Sequence, residues 1–373
     1  MSRILRPPTR ATNRFANRSA DSGESSSSRP QGGWGKAIRN RLRIRTRLLT
    51  AARRAWPPKM RPVILMYHRI ADEPVDPWGL AVAPQRFAEQ LRVLGATRRC
   101  VSLSDFVRSL ADGTLAPNAA AVTFDDGYAD NLVAGKPLLS AADIPATVFL
   151  TTGYVDRADG FWWDELAKIV LLGRARPYFE LMIHDETVRF DFSTDVAESC
   201  NTTADLAKRR RSVLESLRRA LLLLSSADRE HVMAQLRRIF PDRDFRAESG
   251  RVLTGAEVRE IASDGLVTIG AHTVTHPCLP GLKASDRQRE IIESKRTCEA
   301  LIGKPVTTFA YPYGEFDVET SETVRSAGFV CACSMLSGPA NPAANAFALP
   351  RLHVSNLNGE DFERALRFSS VAN

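Results

Sequence analysis

Short, predominantly apolar runs, each stopped by a turn or a polar cluster, recur through this chain: Val63 to Tyr67, Ala119 to Phe124, Ala146 to Leu150, Leu266 to Ala271, Thr307 to Tyr311 and Val330 to Ser334. Segments of helical periodicity separate them. Pro84 to Leu94 reads as a helix with proline in its first turn. Leu103 to Leu110 reads as one opened by Ser104 at the N-cap, and Asn131 to Ala142 as a third. Farther on, Thr254 with Glu257 opens another helix, Ser285 to Ile302 carries a Ser285/Gln288 capping box, and Glu319 to Ala327 follows. Strands alternating with helices predict an α/β fold around a parallel sheet.

Two of the runs end in reactive side chains. Asp125-Asp126-Gly127 closes the run from Ala119, and His272-Thr273-Val274-Thr275-His276 closes the run from Leu266. Strand side chains alternate faces, so adjacent Asp125 and Asp126 occupy inequivalent positions and are free to do different work. One carboxylate and two imidazoles suffice to hold a catalytic zinc that keeps a water, and the spare carboxylate is then placed to act on that water as a base. Alone, Asp-Asp-Gly is as readily a turn and His-x-x-x-His a surface pair. Both stand at C-terminal strand ends, where α/β folds assemble their sites. The same two-His, one-carboxylate set also suits a non-haem Fe(II) oxygenase, which has no use for a second adjacent Asp.

A third run ends in Tyr311-Pro312-Tyr313-Gly314. With it, the chain resembles the polysaccharide deacetylase family, the nodulation-protein-B-like carbohydrate esterases of family 4. Thr123 to Gly127 resembles the first family motif, His272 to His276 the second and Tyr311 to Gly314 the third, over roughly residues 60–155 and 252–355. The resemblance implies a distorted (β/α)7-type barrel and a metal-dependent hydrolase that removes N-acetyl groups from amino sugars such as N-acetylglucosamine in oligo- or polysaccharides. It implies Asp126, His272 and His276 as ligands to Zn²⁺ or another divalent transition metal, Asp125 as base and the backbone N–H of Tyr313 as oxyanion donor. Two departures stand out. Ala310 occupies the place of the motif's arginine, for which Arg351 is the candidate substitute. The late Leu-x-His acid motif has no clear match, and His68, closing the first strand, is the preferred candidate over His353, with Arg69 beside it to help position the imidazole. An acid motif that comes first resembles the circularly permuted branch, similar to the biofilm poly-N-acetylglucosamine deacetylases. A same-family amidohydrolase on another amide and a non-catalytic carbohydrate-binding relative remain alternatives.

Between Val155 and Arg251 the alternation of strand and helix stops. Phe161-Trp162-Trp163-Asp164 opens a helical pattern, Asp185 to Phe192 suggests a hairpin, and Thr203 to Phe240 reads as one or two long helices. A connection this long needs structure of its own, so residues 155–251 are expected to be a largely helical insertion. The aromatic triplet reads either as its anchor or as a sugar-stacking platform.

Charge divides the chain. Residues 1–61 hold 16 Lys and Arg against Asp21 and Glu24, while the remainder carries 35 bases and 41 acids, so the formal net charge of +8 belongs to the N-terminal segment. Residues 1–60 are expected to be a basic, low-complexity tail ahead of a deacetylase barrel spanning 61–373. Within the tail, residues 34–56 read as a membrane-surface helix or as a solvated linker. No recognition motif accompanies the charge, which argues against nucleic acid as a partner. The N-terminus lacks the apolar core of a signal peptide, and no run approaches the ~18 residues of a membrane span. Six cysteines (Cys100, Cys200, Cys278, Cys298, Cys331, Cys333) show neither disulfide nor metal spacing, and Cys331 and Cys333 read as opposite-facing core thiols. The expected setting is cytoplasmic, with the basic stretch as the point of contact at the inner membrane.

Overall fold

The computed structural model describes residues 60–174, 177–192, 203–241, 244–245, 250–336 and 345–369. The tail up to Lys59, with its candidate helix, and Cys200 lie outside them. The chain opens with β1 (Val63–Tyr67), β2 (Arg69–Ile70), β3 (Ala81–Val82), α1 (Pro84–Thr97), β4 (Arg99–Cys100), α2 (Leu103–Ala111), β5 (Ala119–Phe124), α3 (Lys136–Ala142) and β6 (Ala146–Leu150). It then leaves the sheet for α4 (Trp162–Leu172), the hairpin β7 (Tyr178–Ile183) and β8 (Glu186–Asp191), α5 (Thr203–Leu222) and α6 (Ser226–Ile239). Alternation resumes with α7 (Gly255–Ile261), β9 (Val267–Ala271), α8 (Ala284–Ile302), β10 (Thr308–Ala310), α9 (Val318–Ser326), β11 (Cys331–Cys333), β12 (Leu352–His353) and α10 (Gly359–Ser369).

Seven strands lie side by side in the order β11-β10-β9-β6-β5-β1-β12, all parallel, with β4 against the start of β5. Every residue of β1, β5 and β6 is buried, as apolar runs in a sheet covered on both faces require. The sheet curls on itself. Leu349 N–H donates to Ala332 O at 2.9 Å and Ser334 N–H donates to Leu349 O at 2.8 Å, while three residues later β12 pairs with β1. One short segment therefore touches both edges, giving the distorted (β/α)7-type barrel the sequence predicts. Inward-facing Ile64, Ala119, Ala121, Phe149, Ala310, Cys331, Cys333 and Leu349 fill the interior together with α2, and the small alanines suit its narrow bore.

Helix α1 buries Phe87, Leu91 and Leu94, one face at helical spacing, and starts with Pro84 at its first turn. Thr254 and Glu257 form the expected reciprocal capping box of α7. Other local readings need correction. The cap of α2 is Ser102, whose hydroxyl accepts from Asp105 N–H, because the helix begins one residue before Ser104. α8 begins at Ala284 behind Lys283 and has no side-chain cap, so Ser285 and Gln288 lie inside it. Cys331 and Cys333 share one strand face, as residues two apart must, and both enter the interior cluster. In the β7–β8 hairpin, His184 and Asp185 both take positive φ, the backbone of a primed two-residue turn.

Candidate active site

The C-terminal ends of β1, β5, β9, β10 and β12 open into one cavity of about 410 Å³. Asp125, Asp126, His68, His272, His276, Tyr313 and His353 all line it.

Parity along β5 decides what each aspartate meets. Thr123 and Asp125 share the inward face, and there Arg351 reaches both: its guanidinium donates to the two Asp125 oxygens at 2.7 Å each and to Thr123 Oγ1 at 3.2 Å. Its Nε donates to Ser334 O at 3.2 Å, which fixes the fork. The place left by Ala310 is thus filled from the far end of the chain. Burial alone raises the Asp125 carboxyl, but the Arg351 guanidinium pulls it well below the usual carboxylate range. Asp125 is a buried, oriented, ionised carboxylate.

Asp126 is the opposite case. It takes positive φ (72°), which turns its side chain away from the strand rhythm, and its carbonyl accepts from Thr151 N–H at 3.2 Å. Burial, then the charges of Asp125 and Asp164, push its carboxyl well above the usual range. Its Oδ1 is buried without a hydrogen-bond partner, 3.6 Å from His272 Nε2 and 3.4 Å from His276 Nε2. His272 Nδ1 lies 2.7 Å from Ala310 O, a contact only an N–H can make, so Nε2 presents its lone pair. Burial lowers both imidazoles, which keeps them neutral. Asp126 Oδ1, His272 Nε2 and His276 Nε2 therefore converge as one set of possible ligand atoms, all within 4.8 Å. In a tetrahedral site with ligand bonds near 2.05 Å, neighbouring donors stand about 3.3 Å apart. The triad fits a divalent cation.

The loop carrying the two histidines is clamped from outside. His272 N–H continues the ladder to Leu150 O at 3.0 Å, and Glu290 on α8 accepts from the N–H groups of Val274 and Thr275 at 2.8 Å each and from the Thr275 hydroxyl. Local sequence reading missed Glu290. The available signal was an acid at i, i+4, i+8 spacing with Ser294 and Cys298 on the buried face of α8. Gly153 N–H donates to Val274 O at 2.8 Å, and a Cβ there would sit 2.6 Å from that oxygen, so only glycine allows the approach.

His68 and His353 lie edge to face, ring centroids 5.8 Å apart. Enclosure takes His68 down to about 3, and its Nδ1 has no partner. Burial lowers His353 as well. Arg69 does not reach the imidazole. It pairs with Asp130 and Glu73 at 3.0 and 2.9 Å and lies over the Tyr128 ring.

The segment between β6 and β9 walls the cavity with Trp162, Trp163, Arg218 and Leu222. Phe161 and Trp163 stack at 4.2 Å, and Trp163 in turn packs 4.8 Å from His276. The Trp163 indole N–H donates to the Tyr128 hydroxyl at 3.0 Å, which donates to Asp164 at 2.8 Å. Burial pushes Asp164 up to about 6, against the pull of Arg69. The aromatic triplet therefore packs as an anchor, and its two tryptophans also face the cavity.

Residues 112–175 and 239–332 match the family model for polysaccharide deacetylase. YxkH of Bacillus subtilis (strain 168), a protein named for the polysaccharide deacetylases, is 29% identical over 111 residues, 30% of this chain and 39% of that protein, so the match spans about two-fifths of the relative's length. Among solved structures, the Streptococcus pyogenes deacetylase PplD, determined in complex with acetate, aligns with a TM-score of 0.53 at 18% identity, covering 83% of this chain and 99% of PplD. IcaB from Ammonifex degensii aligns at 0.52 and 17%, covering 83% and 97%. At these identities the likeness is one of fold.

Proposed function

We propose that this chain, which belongs to the polysaccharide deacetylase family, hydrolyses the acetamido group of an N-acetylated amino sugar within a glycan and releases acetate. The observation that supports this best is the opposite treatment of adjacent carboxylates at one cavity: Asp126 converges with His272 and His276 as a set that could hold a cation, and Asp125 is kept ionised by Arg351.

Asp126, His272 and His276 would hold the metal, taken here as zinc. When bound, it supplies Lewis acidity towards an amide carbonyl and an attacking water. Asp125 takes the proton of that water, and the Arg351 fork holds it in place so that no reorganisation is needed as charge moves. The backbone N–H of Tyr313, a residue in left-handed conformation (φ 58°), is the donor proposed for the developing oxyanion. One such donor is worth roughly 3 kcal/mol. His68 delivers a proton to the departing amine. Its resting imidazole is neutral, so it relays a proton rather than storing one. The proton that Asp125 takes from the attacking water is the equivalent that His68 passes to the amine, which leaves both side chains as they began. In the permuted-branch reading the acid comes from the first strand, with His353 at the neighbouring end of β12 as the alternative. The same reading assigns the chemistry to residues 61–373, with 155–251 as an insertion, and treats residues 1–60 as a separable basic tail of a cytoplasmic protein that contacts the inner membrane through 34–56.

The test is acetate release from N-acetylated chitooligosaccharide by the purified full chain, with chelation and zinc add-back. Release should vanish on chelation and return with metal. Absence of acetate with one metal bound per chain, across neutral and charged N-acetylated glycans, overturns the assignment.

A further inference from the structure

Among the described residues, contacts between segments far apart in the chain ring the cavity. Trp163 of α4 packs 4.8 Å from His276. The Trp78 indole N–H, from the connection between β2 and β3, donates to Trp163 O at 3.4 Å, and the Arg218 guanidinium of α5 lies 5.2 Å over the Trp78 ring. Two hydrogen bonds to Glu215, at 3.1 and 3.2 Å, hold that guanidinium in place. Next to Trp78, Gly79 comes so near β12 that a Cβ on it would lie 3.9 Å from His353 Cε1. Arg351, two residues before His353, donates from Nε to Ser334 O at 3.2 Å, which brings Met335 to the rim. Met335 packs on Gly314, where an added Cβ would fall 2.5 Å from its own. Tyr313 closes the circuit, its ring 4.6 Å from His276.

A glycan held through an interior sugar must leave the site on two sides, so it needs a cleft open at both ends. A ringed cavity offers one way in. Its volume of about 410 Å³ also lies near the lower end of small-ligand sites, ~300–1,000 Å³. We infer that the substrate enters end-on: the sugar that loses its acetyl group is the terminal residue of a glycan chain. The segment between β6 and β9 imposes this by its tie to the β2–β3 connection through Trp78 and Arg218. The inference rests on the deacetylase reading above and deepens it. Each turnover consumes one water, breaks the amide bond of the terminal residue, and yields acetate and an amine at that end alone.

The experiment uses metal-loaded full chain and fully N-acetylated chitooligosaccharides from trimer to hexamer. Each chain should lose a single acetate, and tandem mass spectrometry should place the free amine at an end in every length. From trimer to hexamer, kcat/KM per chain should change by less than about threefold, because sugars outside the pocket add no binding energy. Trp78→Ala removes the tie and should release further acetate from interior sugars of the hexamer. If that variant fails to fold, Arg218→Ala, whose side chain is 30% exposed, carries this arm. A variant product identical to that of the wild type overturns the part assigned to the tie. Several acetates per wild-type chain, or amines at interior positions, overturn the end-on reading while leaving deacetylation intact. If no chain releases acetate, the deacetylase reading fails, and tryptophan fluorescence titration with the same chains still decides the shape of the site. Affinity that stays level with length supports a pocket, and affinity that climbs about tenfold or more to the hexamer overturns it.

Discussion

Replacing Arg351 with methionine probes the part of the site assembled across the greatest chain distance. The guanidinium donates to both Asp125 oxygens at 2.7 Å, with the two side chains 0% and 4% exposed. Methionine roughly keeps the volume and removes the charge, stranding a buried carboxylate. Removing one partner of a buried ion pair costs about 3–5 kcal/mol, and here Thr123 Oγ1 and Ser334 O lose their donor as well. For a fold of this size that corresponds to a fall in Tm of about 5–8 °C.

The pH dependence follows with a definite sign. Asp125 is depressed in the folded protein, so it contributes stability above its unfolded pKa near 3.9, and that contribution is lost only as the pH falls into strong acid. Wild-type stability and kcat/KM should therefore show no decline attributable to Asp125 under mildly acidic conditions. Without Arg351, burial dominates and the carboxyl rises, so the acidic limb of the rate profile moves towards neutrality. Thermal melts from pH 4 to 8, with acetate release over the same range, check both. A variant with wild-type Tm and an unmoved acidic limb refutes the reasoning.

Asp126→Asn should lose the metal, while Asp125→Asn keeps it and loses at least ~10²-fold in turnover; equal metal loss, measured by mass spectrometry, would reverse the division of labour. His68→Gln should cut turnover with metal retained and His353→Gln should do little, and the opposite result moves the acid to the last strand. Glu290→Gln weakens the clamp on the histidine loop and should lower metal affinity by about 10–100-fold, read by competition with a chromogenic chelator; unchanged affinity would show that the loop holds its shape without it.

What was legible in the sequence was whatever a single strand end carries. Asp125, Asp126, His272, His276 and His68 each follow an apolar run, and a parallel sheet brings such ends to one rim. The pairing of Asp125 with Arg351 spans 226 residues. Only the gap at Ala310 hinted at it, because no local pattern records which distant side chain shares a strand face. Glu290 was missed for a related reason: it acts from a helix packed outside the barrel, on backbone N–H groups that leave no trace in composition. The cap errors at α2 and α8 arose where several polar residues compete within one turn and position, not residue type, selects among them.

The backbone of the site was invisible altogether. Asp126, Thr273, His276 and Tyr313 all take positive φ, half of the eight described non-glycine residues that do, and threonine is among the residue types least suited to it. Such conformations cost of order 1 kcal/mol or more each and persist only where the surroundings enforce them. The enforcement is visible here: Thr151 N–H on Asp126 O, Thr152 N–H on Thr273 O, Thr273 Oγ1 accepting from His276 N–H, and Glu290 on the turn between. None of these holds a reacting atom. They hold the two loops against each other across the β6–β9 edge, so that an aspartate from one strand and two histidines from another keep their donors within bonding distance of a single ion. The strain of the loops and the fit of the triad to a cation are therefore one property of the fold, and relief of either should loosen the other.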